Sequence, residues 1–96
     1  MIAEKGGESI RLTTQQYAVL YVARAGVEQD MKHADLAMMD LEEAIKLDPS
    51  QTEAYLIRGQ IYLSQKKKEL AKRDFEKAIS LGVPQGDLRE LLLQCK

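Results

Sequence analysis

A 34-residue internal register constrains this chain more than any other feature. Laid on itself at that offset, Tyr21 meets Tyr55, Arg24 meets Arg58, Lys32 meets Lys66 and Gln51 meets Gln85. Leu36, Ala37, Asp40, Glu42, Ala44, Ile45 and Leu47 meet Leu70, Ala71, Asp74, Glu76, Ala78, Ile79 and Leu81, giving eleven identities in the 34 pairs from Ala18 to Gln51. A period of this length marks a supersecondary unit that cannot bury its apolar face alone and stacks on its neighbour.

Each unit carries two helical patterns of roughly 14 residues, judged by apolar spacing. In the second unit Ala54, Tyr55, Arg58, Ile61 and Tyr62 keep the i, i+3, i+4, i+7 rhythm, a polar turn follows at Ser64 to Lys68, and Leu70, Ala71, Phe75, Ala78 and Ile79 resume it. Six glycines, two prolines, no Trp and one Phe accompany an abundance of Ala, Leu, Glu, Lys and Gln, the composition of an all-α domain with short turns. Asp48–Pro49–Ser50 separates the units; Pro49 cannot continue a helix, and Ser50 or Thr52 is expected to cap the next one. Gly82 is expected to close the last repeat helix in a left-handed conformation.

These residues resemble the tetratricopeptide repeat family, a 34-residue helix-turn-helix with small and aromatic residues at set positions. The second unit supplies Tyr55, Gly59, Tyr62, Ala71, Phe75 and Ala78; the first supplies Tyr21, Ala25, Ala37, Leu41, Ala44 and Pro49. Glu28 stands where the first unit should have an aromatic, and Pro84 follows Val83 where the second should have proline. The resemblance implies a right-handed α-α superhelix of two hairpins closed by a C-terminal capping helix. Its domain plan is an N-terminal arm over 1–13 and a repeat domain over 14–96, with repeats at about 18–51 and 52–85 and the cap at about 86–96.

Packing explains the pattern. Ala25, Gly59, Ala37, Ala71, Ala44 and Ala78 are expected where helix backbones approach most closely, with Tyr55, Tyr62 and Phe75 filling the wedges. Arg24 and Arg58 share one repeat position, and Asp40 and Asp74 share another, so ion pairs of bidentate geometry are expected. Beyond the repeats, Asp87 is expected to cap a short helix with Leu88, Leu91, Leu92 and Cys95 on one face. Two repeats fall below the three or so that such arrays need, so the first unit must be covered by residues 1–13, by another copy or by further repeats.

Little in the chain points to chemistry. Gly6 and Gly7 lack the downstream Gly-Lys-Ser/Thr of a phosphate-binding loop, and the lone His33 falls in a turn, where a solvated side chain is the expectation. Asp30 and Asp35 flank it without metal-site spacing, and Cys95 reads as a small buried hydrophobe. Met38 and Met39 cannot share a helix face, so one is expected in the core and the other outside. No enzyme, catalytic residue, cofactor or metal is expected.

The formal charge of −1 hides an asymmetry. Five basic and nine acidic residues up to Gln51 give −4, whereas nine basic and six acidic from Thr52 give +3. The run Lys66, Lys67, Lys68, Lys72 and Arg73 has no accompanying aromatic platform, so no nucleic-acid partner is expected. No apolar run reaches membrane-spanning length and Met1 to Glu8 lacks a signal-type apolar stretch, so no membrane partner and a cytoplasmic location are the expectations.

The resemblance also implies a concave groove along the first helix of each hairpin. Its lining here would be Val19, Val22, Gly26, Gln29 and Asp30, then Glu53, Leu56, Gln60, Leu63 and Ser64. The family's chaperone carboxylate clamp needs Lys and Asn where Val22 and Gly26 stand, so that clamp is absent. The function implied is protein–protein interaction without catalysis, through a peptide or protein segment held near Val22, Leu56 and Leu63. The alternative is structural self-assembly, with the same surface mediating homo-oligomerisation.

Overall fold

The described residues wind into five helices, each placed by residues legible in the sequence and by caps that are not. The computed structural model describes residues 12–96. Most of the expected arm over 1–13 therefore lies outside the described residues. Helix α1 spans Thr14–Asp30, α2 Ala34–Leu47, α3 Thr52–Ser64, α4 Lys68–Ser80, and α5 Arg89–Gln94 after a 3-10 turn at Gln85–Leu88. Among the described residues there is no strand. Helix α1 packs on α2 and α3 on α4 as two hairpins; α2 and part of α1 lie against α3, and α5 lies on α4.

Two buried clusters follow the repeat. Ala18, Val22 and Ala25 of α1 meet Ala37, Leu41 and Ala44 of α2, joined by Ala54 and Ile61 of α3. Tyr55, Ala71, Phe75 and Ala78 form the second, closed by Leu88 and Cys95. Leu41 and Phe75, at equivalent repeat positions, are the largest fully buried side chains, each contributing about 1.5–3 kcal/mol by leaving water. The alanines expected at close approaches are fully buried, as is the face of Gly59 that Phe75 covers. Met38 packs against the first cluster while Met39 is exposed.

Three helix ends share one hydrogen-bond pattern. After α4, Gly82 at φ 119° lets its own N–H bond to Ile79 and the N–H of Val83 bond to Ala78, satisfying two terminal carbonyls. After α1 the N–H groups of Lys32 and His33 bond to Gln29 and Glu28, and after α3 those of Lys66 and Lys67 bond to Leu63 and Tyr62. Lys32 and Lys66 thereby take φ 64°, the left-handed region that favours glycine.

Helix starts depart from expectation at two places. Neither Ser50 nor Thr52 caps α3: Gln51 holds the cap position without a side-chain bond, and Ser50 instead donates its N–H and hydroxyl to Asp48 Oδ1. Asp48 closes the linker on itself, and Tyr55 ties it down by donating its hydroxyl to the Pro49 carbonyl at 2.9 Å. Nor does Asp87 cap α5, because the chain enters through the 3-10 turn and Asp87 lies within it, its N–H bonded to Pro84. The side-chain cap that does form is at α1, where Thr13 accepts from the Gln16 N–H and Gln16 Oε1 accepts from the Thr13 N–H.

Candidate functional site

Helices α1 and α3 are adjacent, and the groove expected from the sequence would run along the face of each on which residues three and four apart align. On α1 that face carries Val19, Gly26 and Gln29; on α3 it carries Glu53, Leu56, Gln60 and Leu63. Gln29 Nε2 donates to Gln60 Oε1 at 3.3 Å, a polar bridge from one hairpin to the other. Leu56 and Leu63 are half-buried and pack against the second cluster. Val19 is exposed and helps line an apolar recess with Leu12, Gln16 and Leu20.

Val22 behaves differently from its neighbours. It is buried in the first cluster, so it supports the groove from beneath and offers little surface to a ligand. It stands one turn from both Ala18 and Ala25, at the border between the buried face of α1 and the face that carries Val19 and Gly26.

Gly26 is the unusual member. A Cβ built there would meet nothing within 4 Å, so no packing among the described residues calls for glycine in the middle of α1. Gly59 contrasts with it, because a Cβ there would lie 2.6 Å from Phe75 Cε1. At the turn end of the groove, Gln29, Lys32, Ala34, Ile61 and Ser64 line a recess of about 280 Å³.

Each hairpin is tied together by an arginine–aspartate pair, and both pairs are bidentate. Arg24 donates from Nε and Nη2 to Asp40 at 2.7 Å each, and Arg58 does the same to Asp74 at 2.8 Å each. Both aspartates are buried. Arg58 also lies over the rings of Tyr55 and Tyr62, and Arg24 over Tyr21.

Glu28, in the place of Tyr62, makes the first pair different from the second. Its Oε1 is buried with no hydrogen-bond partner. Ionised, neither Glu28 nor Asp40 can donate; a proton on Glu28 turns their approach into a hydrogen bond. That bond with Asp40, followed by burial and the Asp40 charge, raises the Glu28 carboxyl above its ordinary range. The Arg24 guanidinium holds Asp40 below its own.

Elsewhere, titratable groups make no catalytic arrangement. His33 is exposed at the start of α2, and burial pushes the Cys95 thiol up, keeping it protonated beneath α5. No group of three His, Cys, Asp or Glu among the described residues could hold a metal ion, and none of the described helices is long and apolar enough to cross a membrane.

Sequence reasoning missed the carboxyl pair and the open space beside Gly26. A glutamate and an aspartate twelve apart reveal a contact only once the hairpin angle is known. Gly26 did carry a signal, since helix-interior glycine costs about 1 kcal/mol relative to alanine.

In a comparison with known families, the model described as "Tetratricopeptide repeat" matches residues 18–51 and 52–81. Neither the curated proteins nor the solved structures give a match.

Proposed function

Since the chain belongs to the tetratricopeptide repeat family, whose repeats mediate protein–protein interaction, we propose that it is a non-catalytic module holding a peptide or protein segment in the groove between α1 and α3. Gly26 carries this reading. A mid-helix glycine facing open space weakens α1 and packs nothing among the described residues, whereas it lets a partner's backbone approach closely. Around it Val19, Leu56 and Leu63 supply apolar contact, while Gln29, Gln60 and Glu53 supply hydrogen bonds and one charge. This suits a segment with spaced apolar side chains better than a highly charged one. Leu56→Asp and Leu63→Asp, each checked for retained helicity, should both lose the same protein from a pull-down that the wild type captures. Retention by both variants would remove the groove from the account.

Self-association through the same surface is the competing reading, favoured by the −4 and +3 charges of the two halves. Sedimentation separates them: a species that stays monomeric from micromolar to millimolar concentration excludes self-assembly.

A further inference from the structure

A second face of α1, turned away from both α2 and α3, is apolar and uncovered among the described residues. Tyr17, Leu20, Arg24, Val27 and Met31 recur at helical spacing, and the four apolar members are exposed. The repeat supplies an internal reference for what such a face takes. At the 34-residue offset Leu20 corresponds to Ala54 and Val27 to Ile61. Ala54 is 0% and Ile61 2% exposed, both in one buried cluster with Ala37, Leu41 and Ala44 of α2. Leu20 is 54% and Val27 58% exposed.

The arginines repeat the contrast. Both make the same bidentate bond, yet the Arg58 side chain is 21% exposed and that of Arg24 62%. Arg58 feels a second carboxylate from across the hairpin interface, Glu42 of α2. The further acid acting on Arg24 is Glu28 of its own helix. Beside Arg24, the side chains of Tyr17, Leu20 and Tyr21 complete a recess of about 260 Å³.

We propose that this face seats an amphipathic helix from a partner protein, with small and aliphatic side chains over Leu20 and Val27 and a carboxylate facing the outer edge of Arg24. The chemistry of the occupant is that of α2, the helix this chain lays on the equivalent face of α3. Neither α2 nor its repeat counterpart α4 is free to play this part in a second copy, because α2 is engaged by α3 and α4 by α5. Arg24 retains donors for the incoming acid, since its bond to Asp40 uses Nε and one hydrogen on Nη2.

The probe is a fluorescein-labelled peptide of residues 34–47, stapled on its polar face to hold it helical, titrated with the full chain. It should bind saturably at one to one. Leu20→Asp in the chain should weaken it about tenfold or more, and Glu42→Arg in the peptide should weaken binding to the wild type about fivefold or more. Leu93→Asp, on the exposed side of α5, should leave the affinity unchanged. Four results would each overturn the proposal. One is no saturable binding up to about 1 mM, a threshold that corresponds to only about 4 kcal/mol. Another is equal affinity for Leu20→Asp. Tighter binding by a chain lacking residues 1–11 would give the face to that segment, and a dimer in sedimentation that Leu20→Asp abolishes would give it to a second copy.

Discussion

Gly59 and Phe75 are packed so closely that a Cβ on Gly59 would stand 2.6 Å from Phe75 Cε1 and 2.9 Å from Cζ. The ring is fully buried and cannot retreat without opening the second cluster. Gly59→Ala should therefore destabilise by about 1–2 kcal/mol even though alanine is the better helix former, because overpacking outweighs the propensity gain. Gly26→Ala, where the added carbon meets nothing within 4 Å, should stabilise by about 0.5–1 kcal/mol. Urea denaturation of both variants checks the opposite signs.

Lys32 and Lys66 hold the left-handed conformation that glycine holds at position 82. Lys32→Gly and Lys66→Gly should each stabilise by about 0.5–1 kcal/mol, the relief of left-handed strain exceeding the extra freedom of glycine in the unfolded chain. Gly82→Ala should lose a similar amount. The two lysine sites lie in different turns and share no partner, so the double variant should be additive in thermal denaturation.

The bidentate pairs should differ in strength. A double-mutant cycle of Arg58→Met with Asp74→Asn should give a coupling of about 1–2 kcal/mol, moderated by the partial exposure of the guanidinium. The same cycle on Arg24 and Asp40 should give a smaller coupling that falls further in high salt, because Arg24 is largely in water. Equal couplings at both sites would contradict the role assigned to α2 in shielding Arg58.

Glu28 should make the first hairpin sensitive to pH, with a determinable sign. Its folded carboxyl is raised above the ordinary range, so its contribution is present below about pH 4 and is lost as pH rises through the folded value. Asp40 runs the other way: depressed by Arg24, it contributes above about pH 4 and fails as pH falls through its lowered value. Glu28→Gln, which keeps the shape and can donate to Asp40, should stabilise at pH 7 and have little effect at acid pH. Melting temperatures across pH 3.5–8 would check the crossover, and a gain independent of pH would contradict the carboxyl pairing.

The repeat made most of the architecture legible before any coordinates. Apolar spacing located four helices, Pro49 and Gly82 marked where two of them end, and shared positions pointed to ion pairs of Arg24 and Arg58 with Asp40 and Asp74, within or between hairpins; the structure makes both within. Helix starts were less readable, since Ser50 is drawn to Asp48 and Asp87 into a 3-10 turn, choices set by tertiary placement rather than by residue type. The groove was inferred as one continuous lining, but Val22, between Gly26 and Gln29 around α1, is buried in the first cluster, a difference set by what packs on it and not by its spacing. The apolar face of Tyr17, Leu20, Val27 and Met31 was hidden for a different reason. Its spacing is visible in the sequence, but the same spacing describes the buried face of an ordinary helix, and the contrast with Ala54 and Ile61 emerges only from exposure.

The claim that the concave groove is the binding surface is tested most directly by selecting binders from a displayed library of random peptides and mapping one by amide chemical-shift changes. The account predicts selected peptides with spaced apolar side chains, and shifts concentrated at Val19, Gly26, Gln29, Leu56, Gln60 and Leu63. Shifts confined to the outer surface around Met39 and Arg73, with those six unmoved, would contradict it.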